Sequence, residues 1–82
     1  RPSFKMGGIK MSIKIEQLLP LLKEGYVAMD ANNRWYWFEP QPLRDDVRND
    51  WFIEFGNYED LFDCFDIEPV KDWTQSLMEC GK

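Results

Sequence analysis

The stretch Tyr26–Glu39, YVAMDANNRWYWFE, decides how the chain is read. Two apolar runs flank a polar centre, Asp30-Ala31-Asn32-Asn33, and that pattern predicts a β-hairpin. Asparagine is one of the few non-glycine residues that accept a positive φ, so Asn32-Asn33 suits the reversal. Side chains on a strand alternate between faces. Trp35 and Trp37 therefore point one way, and Tyr36 and Phe38 the other. One of these faces serves the core, and the other needs a helix, a partner or a ligand to cover it.

Working outward, residues 14–24 place Ile15, Leu18, Leu19 and Leu22 at helical spacing. Pro20 conflicts with a continuous helix and predicts a kink or a start near Leu18. Gly25 is read as the helix C-cap. After the hairpin, Pro40-Gln41-Pro42 ends the ladder, since proline has no N–H to donate. Residues 40–50 read as a polar loop. Trp51–Phe55 reads as a third strand with Trp51, Ile53 and Phe55 on one face, broken by Gly56-Asn57. Asn57 then caps a short helix that buries Leu61, Phe62 and Phe65, with Cys64 beside them as a buried thiol. Residues 72–78 are read as a closing edge strand, and residues 79–82 as a fraying end. The expected fold is α+β: a small antiparallel sheet of three to four strands, an N-terminal helix and a second short helix. The uncovered sheet face suggests a homo-oligomer.

Eighty-two residues make one small domain, and a chain this short is marginal without large side chains or partners. Four tryptophans, three tyrosines and six phenylalanines supply that burial. Residues 1–10, RPSFKMGGIK, hold three bases and no acid, and Met11 follows. Gly7-Gly8 before a short spacer and Met11 is what a translated bacterial ribosome-binding site yields. Residues 1–10 are therefore read as a leader or tail outside the fold, with the domain at 11–82. The net charge is −5, and −8 without that tail. There are two cysteines, Cys64 and Cys80, and no histidine. No histidine-based catalytic set is possible, and one chain cannot assemble a four-ligand Cys/His zinc site. With no signal-peptide pattern, reduced thiols in a bacterial cytoplasm are expected. No run approaches the roughly 20 apolar residues of a membrane span.

The acids cluster. Between Asp45 and Asp72 lie ten acidic residues against two basic ones, Arg48 and Lys71. Direct nucleic-acid binding, which needs lysine and arginine against phosphate, is not expected. Basic protein surfaces are the favoured partners, among them the groove of a nucleic-acid-binding enzyme. The candidate acidic surface is Asp45, Asp46, Glu59, Asp60, Asp63 and Asp66. Asp63, Asp66 and Glu68 match no EF-hand spacing, so no metal or cofactor is assigned. A second candidate, an aromatic ligand pocket, is Trp35, Tyr36, Trp37 and Trp51, because aromatics are enriched at binding sites. Arg34, Arg44 and Arg48 are the only bases between Lys23 and Lys71. They either hold a phosphate beside that shelf or pair with neighbouring acids. No nucleophile–base pair is apparent, so the chain is not read as an enzyme.

Three stretches carry a resemblance: Ile15–Asp30 (IEQLLPLLKEGYVAMD), Trp35–Phe38 (WYWF) and Asp72–Leu77 (DWTQSL). Together they resemble the phage family of unknown function that includes the Thoeris anti-defence proteins. There, a helix ends in a Lys-(Ala/Glu)-Gly turn before a strand, here Lys23-Glu24-Gly25. A late acidic helix precedes a closing Asp-Trp strand, here Glu59-Asp60-Leu61 and Asp72-Trp73. The chain departs from the family at Asp30 and Asn32-Asn33, where a basic residue and a tryptophan are common, so no ligand-binding residues are carried over. Asn57–Cys64 also resembles the acidic inhibitory helix of barstar-like ribonuclease inhibitors. The resemblance implies a phage or prophage protein that acts as an oligomeric sponge for a cyclic nucleotide-like immune signal, without chemistry. The acidic face gives the leading expectation instead: an anti-CRISPR-like or other anti-defence inhibitor that occupies a basic surface. The sponge is the alternative, and a phage accessory or structural domain the second alternative.

Overall fold

The central hairpin forms as its alternation requires. In the computed structural model, which describes residues 12–61 and 65–81, β1 (Gly25–Met29) and β2 (Trp35–Phe38) pair antiparallel. Tyr26 lies opposite Phe38, Val27 opposite Trp37, and Met29 opposite Trp35. Asn33 takes φ 70° at the reversal. Its N–H donates to the Asp30 carbonyl at 2.9 Å, and the Asp30 N–H donates to the Arg34 carbonyl at 2.9 Å. Trp35 and Trp37 enter the core with Val27, Met29 and Leu61. Each indole N–H finds a carbonyl there: Trp35 Nε1 donates to Glu68 at 3.2 Å and Trp37 Nε1 to Lys23 at 3.1 Å. A buried indole needs such a partner.

The hairpin is the middle of a four-stranded sheet. β5 (Tyr58–Asp60) borders β2, β6 (Met78–Cys80) borders β1, and all three pairings are antiparallel. β3 (Leu43–Asp45) and β4 (Asp50–Phe52) make a separate two-stranded hairpin. Ile13 and Ile67 form an isolated parallel bridge. One sheet face packs on α1 (Ile15–Leu18), where Ile15 and Leu18 are buried. The α+β class with an antiparallel sheet is therefore the observed one.

Several elements differ from the sequence reading. The N-terminal helix is one α turn followed by a 3-10 turn at Leu19–Leu21, because Pro20 denies the helix a continuing bond. Gly25 begins β1 rather than capping that helix. An added Cβ there would lie 2.6 Å from the Phe38 carbonyl oxygen and 2.7 Å from Trp37 Nε1. The stretch 40–50 is no plain loop, for it holds β3 and the turn into β4. Asp45 Oδ1 accepts from the N–H groups of Val47 (2.9 Å) and Arg48 (3.1 Å), and Asn49 closes the turn at φ 62°. β4 stops at Phe52, which leaves Phe55 off the sheet and exposed. Tyr58–Asp60, read as part of a short helix, is an edge strand instead. The free edge of β2 takes it up, and the Leu61 N–H continues the ladder to the Trp35 carbonyl at 3.0 Å. The likeness to a barstar-type acidic helix fails over those residues. The second short element is a 3-10 turn at Trp73–Gln75, capped by Asp72, inside the stretch read as a strand. The C-terminal end does not fray at Glu79 and Cys80. It pairs with β1, and the Gly81 N–H donates to the Leu19 carbonyl at 3.0 Å.

Candidate functional site

The second sheet face carries Tyr36 and Phe38, with Tyr58 beside them on β5. Their three rings form a shelf, with centroids 6.1–6.4 Å apart. Phe38 is only 3 % exposed and Tyr58 is 62 % exposed, so the shelf runs from a covered end to an open one. Cover comes from the chain's own β3–β4 hairpin. Trp51 fixes that hairpin in place: its backbone N–H donates to Asp30 Oδ1 at 2.9 Å. Its indole N–H lies 3.0 Å from the Met29 carbonyl and 3.3 Å from that of Trp73. The Trp51 and Trp73 rings meet edge to face at 6.2 Å. Between shelf and hairpin remains a cleft of about 340 Å³, closed on the far side by Trp51, Phe52 and Ile53.

The polar groups of this cleft are Asp30, Asp50 and Arg48. Asp50 Oδ1 is buried without a hydrogen-bond partner, and Oδ2 lies 3.6 Å from Arg48 Nε. Burial pushes the Asp30 carboxyl above its usual value; the bond from Trp51 opposes this and the Asp50 charge adds to it. Burial likewise raises the Tyr36 hydroxyl, helped by Asp60. A larger hollow of about 490 Å³ lies by Glu24, Tyr26, Glu39 and Glu79. It lacks facing aromatic walls, and the smaller cleft has the mixed apolar and polar lining of a ligand site.

The structure divides the expected aromatic pocket. Tyr36 and Trp51 line the cleft, whereas Trp35 and Trp37 are 2 % and 5 % exposed in the core on the other face. Most of the expected acidic surface has work inside the fold. Asp45 holds the β3–β4 turn, and Asp46 pairs with Arg44 at 2.9 Å. Glu59 pairs with Lys23 at 3.2 Å, and Asp60 with Arg34 at 3.2 Å. Asp66 accepts from Ser12 Oγ at 3.1 Å. Asp63 and Cys64 lie outside the described residues, as do residues 1–11. The arginines take the paired arrangement rather than standing clear for a phosphate. Asp30, Asp50, Phe38 and Tyr58 were missed as site residues. Asp50 and Tyr58 join the cleft only because β4 and β5 are strands, and the apolar alternation of β2 was the one signal that placed Phe38 beside Tyr36.

Among the described residues no three cysteine, histidine or carboxylate side chains gather where they could hold a metal ion. No helix among them is long and apolar enough to cross a membrane. No family model, curated protein or solved structure matches the chain.

Proposed function

We propose that the chain works by binding and without chemistry of its own. In this reading it is a phage or prophage protein of the bacterial cytoplasm that occupies a basic surface on a host defence enzyme and blocks its nucleic acid. The observation that carries the reading is the open aromatic cleft that presents Asp30 and Asp50, on a chain of net charge −5. Its one basic lining side chain, Arg48, is turned toward Asp50. Such a field draws cations and repels phosphate, and steers association with a basic partner. The same feature weighs against the nucleotide sponge, because a phosphate would face two carboxylates.

The test is a gel-shift panel of purified RNA-guided nucleases and restriction enzymes on labelled DNA, with rising amounts of the chain. The expected result is displacement of DNA from at least one enzyme, weakened as salt rises from about 50 to about 300 mM. No displacement anywhere in the panel, with tight binding of a cyclic dinucleotide instead, would overturn the reading in favour of the sponge.

A further inference from the structure

We propose that the cleft between the Tyr36–Phe38–Tyr58 shelf and the β3–β4 hairpin receives one arginine side chain of the partner. This rests on the preceding reading and names the partner group that anchors it. Size comes first: about 340 Å³ is at the small end of ligand sites, which run from about 300 to about 1,000 Å³. It suits a single long side chain better than a nucleotide. The walls come next. Tyr36 and Tyr58 stand 6.3 Å apart with their planes inclined at 54°, and Trp51 opposite is held by two carbonyls. Aromatic faces attract a guanidinium through the ring quadrupole and stack on its plane.

The charged end decides among cations. Among the described residues, Asp30 Oδ1 accepts from the Trp51 N–H at 2.9 Å. Asp50 has one oxygen near Arg48 and one buried oxygen with no donor. Asp50 lines the cleft with its side chain 25 % exposed, so an entering donor meets the carboxylate from its open side. Two neighbouring carboxylates short of donors match a planar fork of five N–H groups. An ammonium offers the charge without the plane, and a neutral urea offers the plane without the charge. Burial chiefly raises the Asp30 carboxyl and the Asp50 charge adds to it, and a guanidinium set between the two carboxylates would offset both. Arg48, whose side chain is 73 % exposed, stays at the rim on the second Asp50 oxygen.

The test is an amide NMR titration of the full chain with a blocked Gly-Arg-Gly tripeptide, beside the same tripeptide carrying lysine or citrulline. The expected result is saturable shifts at Tyr36, Trp51 and Tyr58 with arginine, binding about 5-fold weaker with lysine, and none with citrulline. Tyr58→Ala, at an exposed edge position, should weaken arginine binding about 3- to 10-fold with the fold intact. Asp50→Asn should remove it. Citrulline binding as well as arginine, shifts confined to other surfaces, or unchanged binding by Tyr58→Ala would each overturn the assignment. The two proposals fail separately. Peptide binding with no enzyme displaced from DNA sinks the partner reading and leaves the arginine seat standing. Displacement of DNA at full potency by Tyr58→Ala, without peptide binding, sinks the arginine seat alone.

Discussion

Replacing Ser76 with alanine removes one oxygen from a side chain that is 1 % exposed. That oxygen accepts from the Met29 N–H at 2.8 Å, and its own proton reaches the Trp73 carbonyl at 2.7 Å or that of Met29 at 3.2 Å. β6 pairs with β1 only as far as Val27 opposite Met78. The hydroxyl thus takes the ladder position that a longer β6 would have filled. Trp51 Nε1 donates to the same two carbonyls, so this polar knot also pins the β3–β4 hairpin over the sheet. In the alanine variant the Met29 N–H keeps no acceptor at a site closed to water. An orphaned buried donor costs about 1–3 kcal/mol. Only one atom is lost, so a cavity adds little. At about 4–8 °C of Tm per kcal/mol for a domain of this size, the expected fall is about 5–20 °C. Thermal melts followed by far-UV circular dichroism give the Tm, and native-state hydrogen exchange gives the Met29 amide. A Tm within about 2 °C of the wild type, with Met29 protection unchanged, would refute the knot.

Gly25→Ala drives a Cβ against the Phe38 carbonyl and the Trp37 ring, so it should cost about 1–3 kcal/mol in a urea titration; an unchanged midpoint would contradict that packing. Asp30 binds its proton more tightly folded than unfolded, so its contribution to stability falls as pH rises from 3.8 through its raised folded value. The Tm of the wild type relative to Asp30→Asn should therefore decline from about pH 4 to about pH 7, and a relative Tm that climbs over that range reverses the sign. Cys80 is buried, donates to the Lys23 carbonyl at 3.3 Å, and has its thiol pushed up by burial. Alkylation with iodoacetamide near pH 8, followed by peptide mass mapping, should find Cys80 modified slowly in the native chain and quickly in urea.

The hairpin was legible because it needs only local rules: period-two alternation, and asparagines at the reversal. Trp35 and Trp37 could be put on one face from the letters alone. Which face would be core could not, since α1 supplies the answer from elsewhere in the chain. The β3–β4 hairpin hid in charge. Trp51-Phe52 of β4 were read as strand, but β3 is only three residues long, too short for alternation to show, and Leu43-Arg44-Asp45 looks like loop. Asp45 and Asn49, four apart around its turn, were the signal available. Tyr58–Asp60, read as helix, and Glu79-Cys80, read as a fraying end, were misread because free edges of β1 and β2 recruit them, a tertiary demand that overrides local preference. The cleft could not be foreseen without those strands: Asp30 lies in one turn, Asp50 begins β4 and Tyr58 begins β5.

All of this takes the chain's own hairpin, rather than a second copy, as the cover of the outer sheet face, with the cleft left open beside it. Light scattering of the wild type at about 50 mM and about 500 mM salt, beside Tyr58→Arg, checks that. A single-chain mass of 9.9 kDa at both salts is the predicted result. A salt-resistant dimer that Tyr58→Arg returns to single chains would contradict it, because the cleft would then be filled by another copy of the sheet.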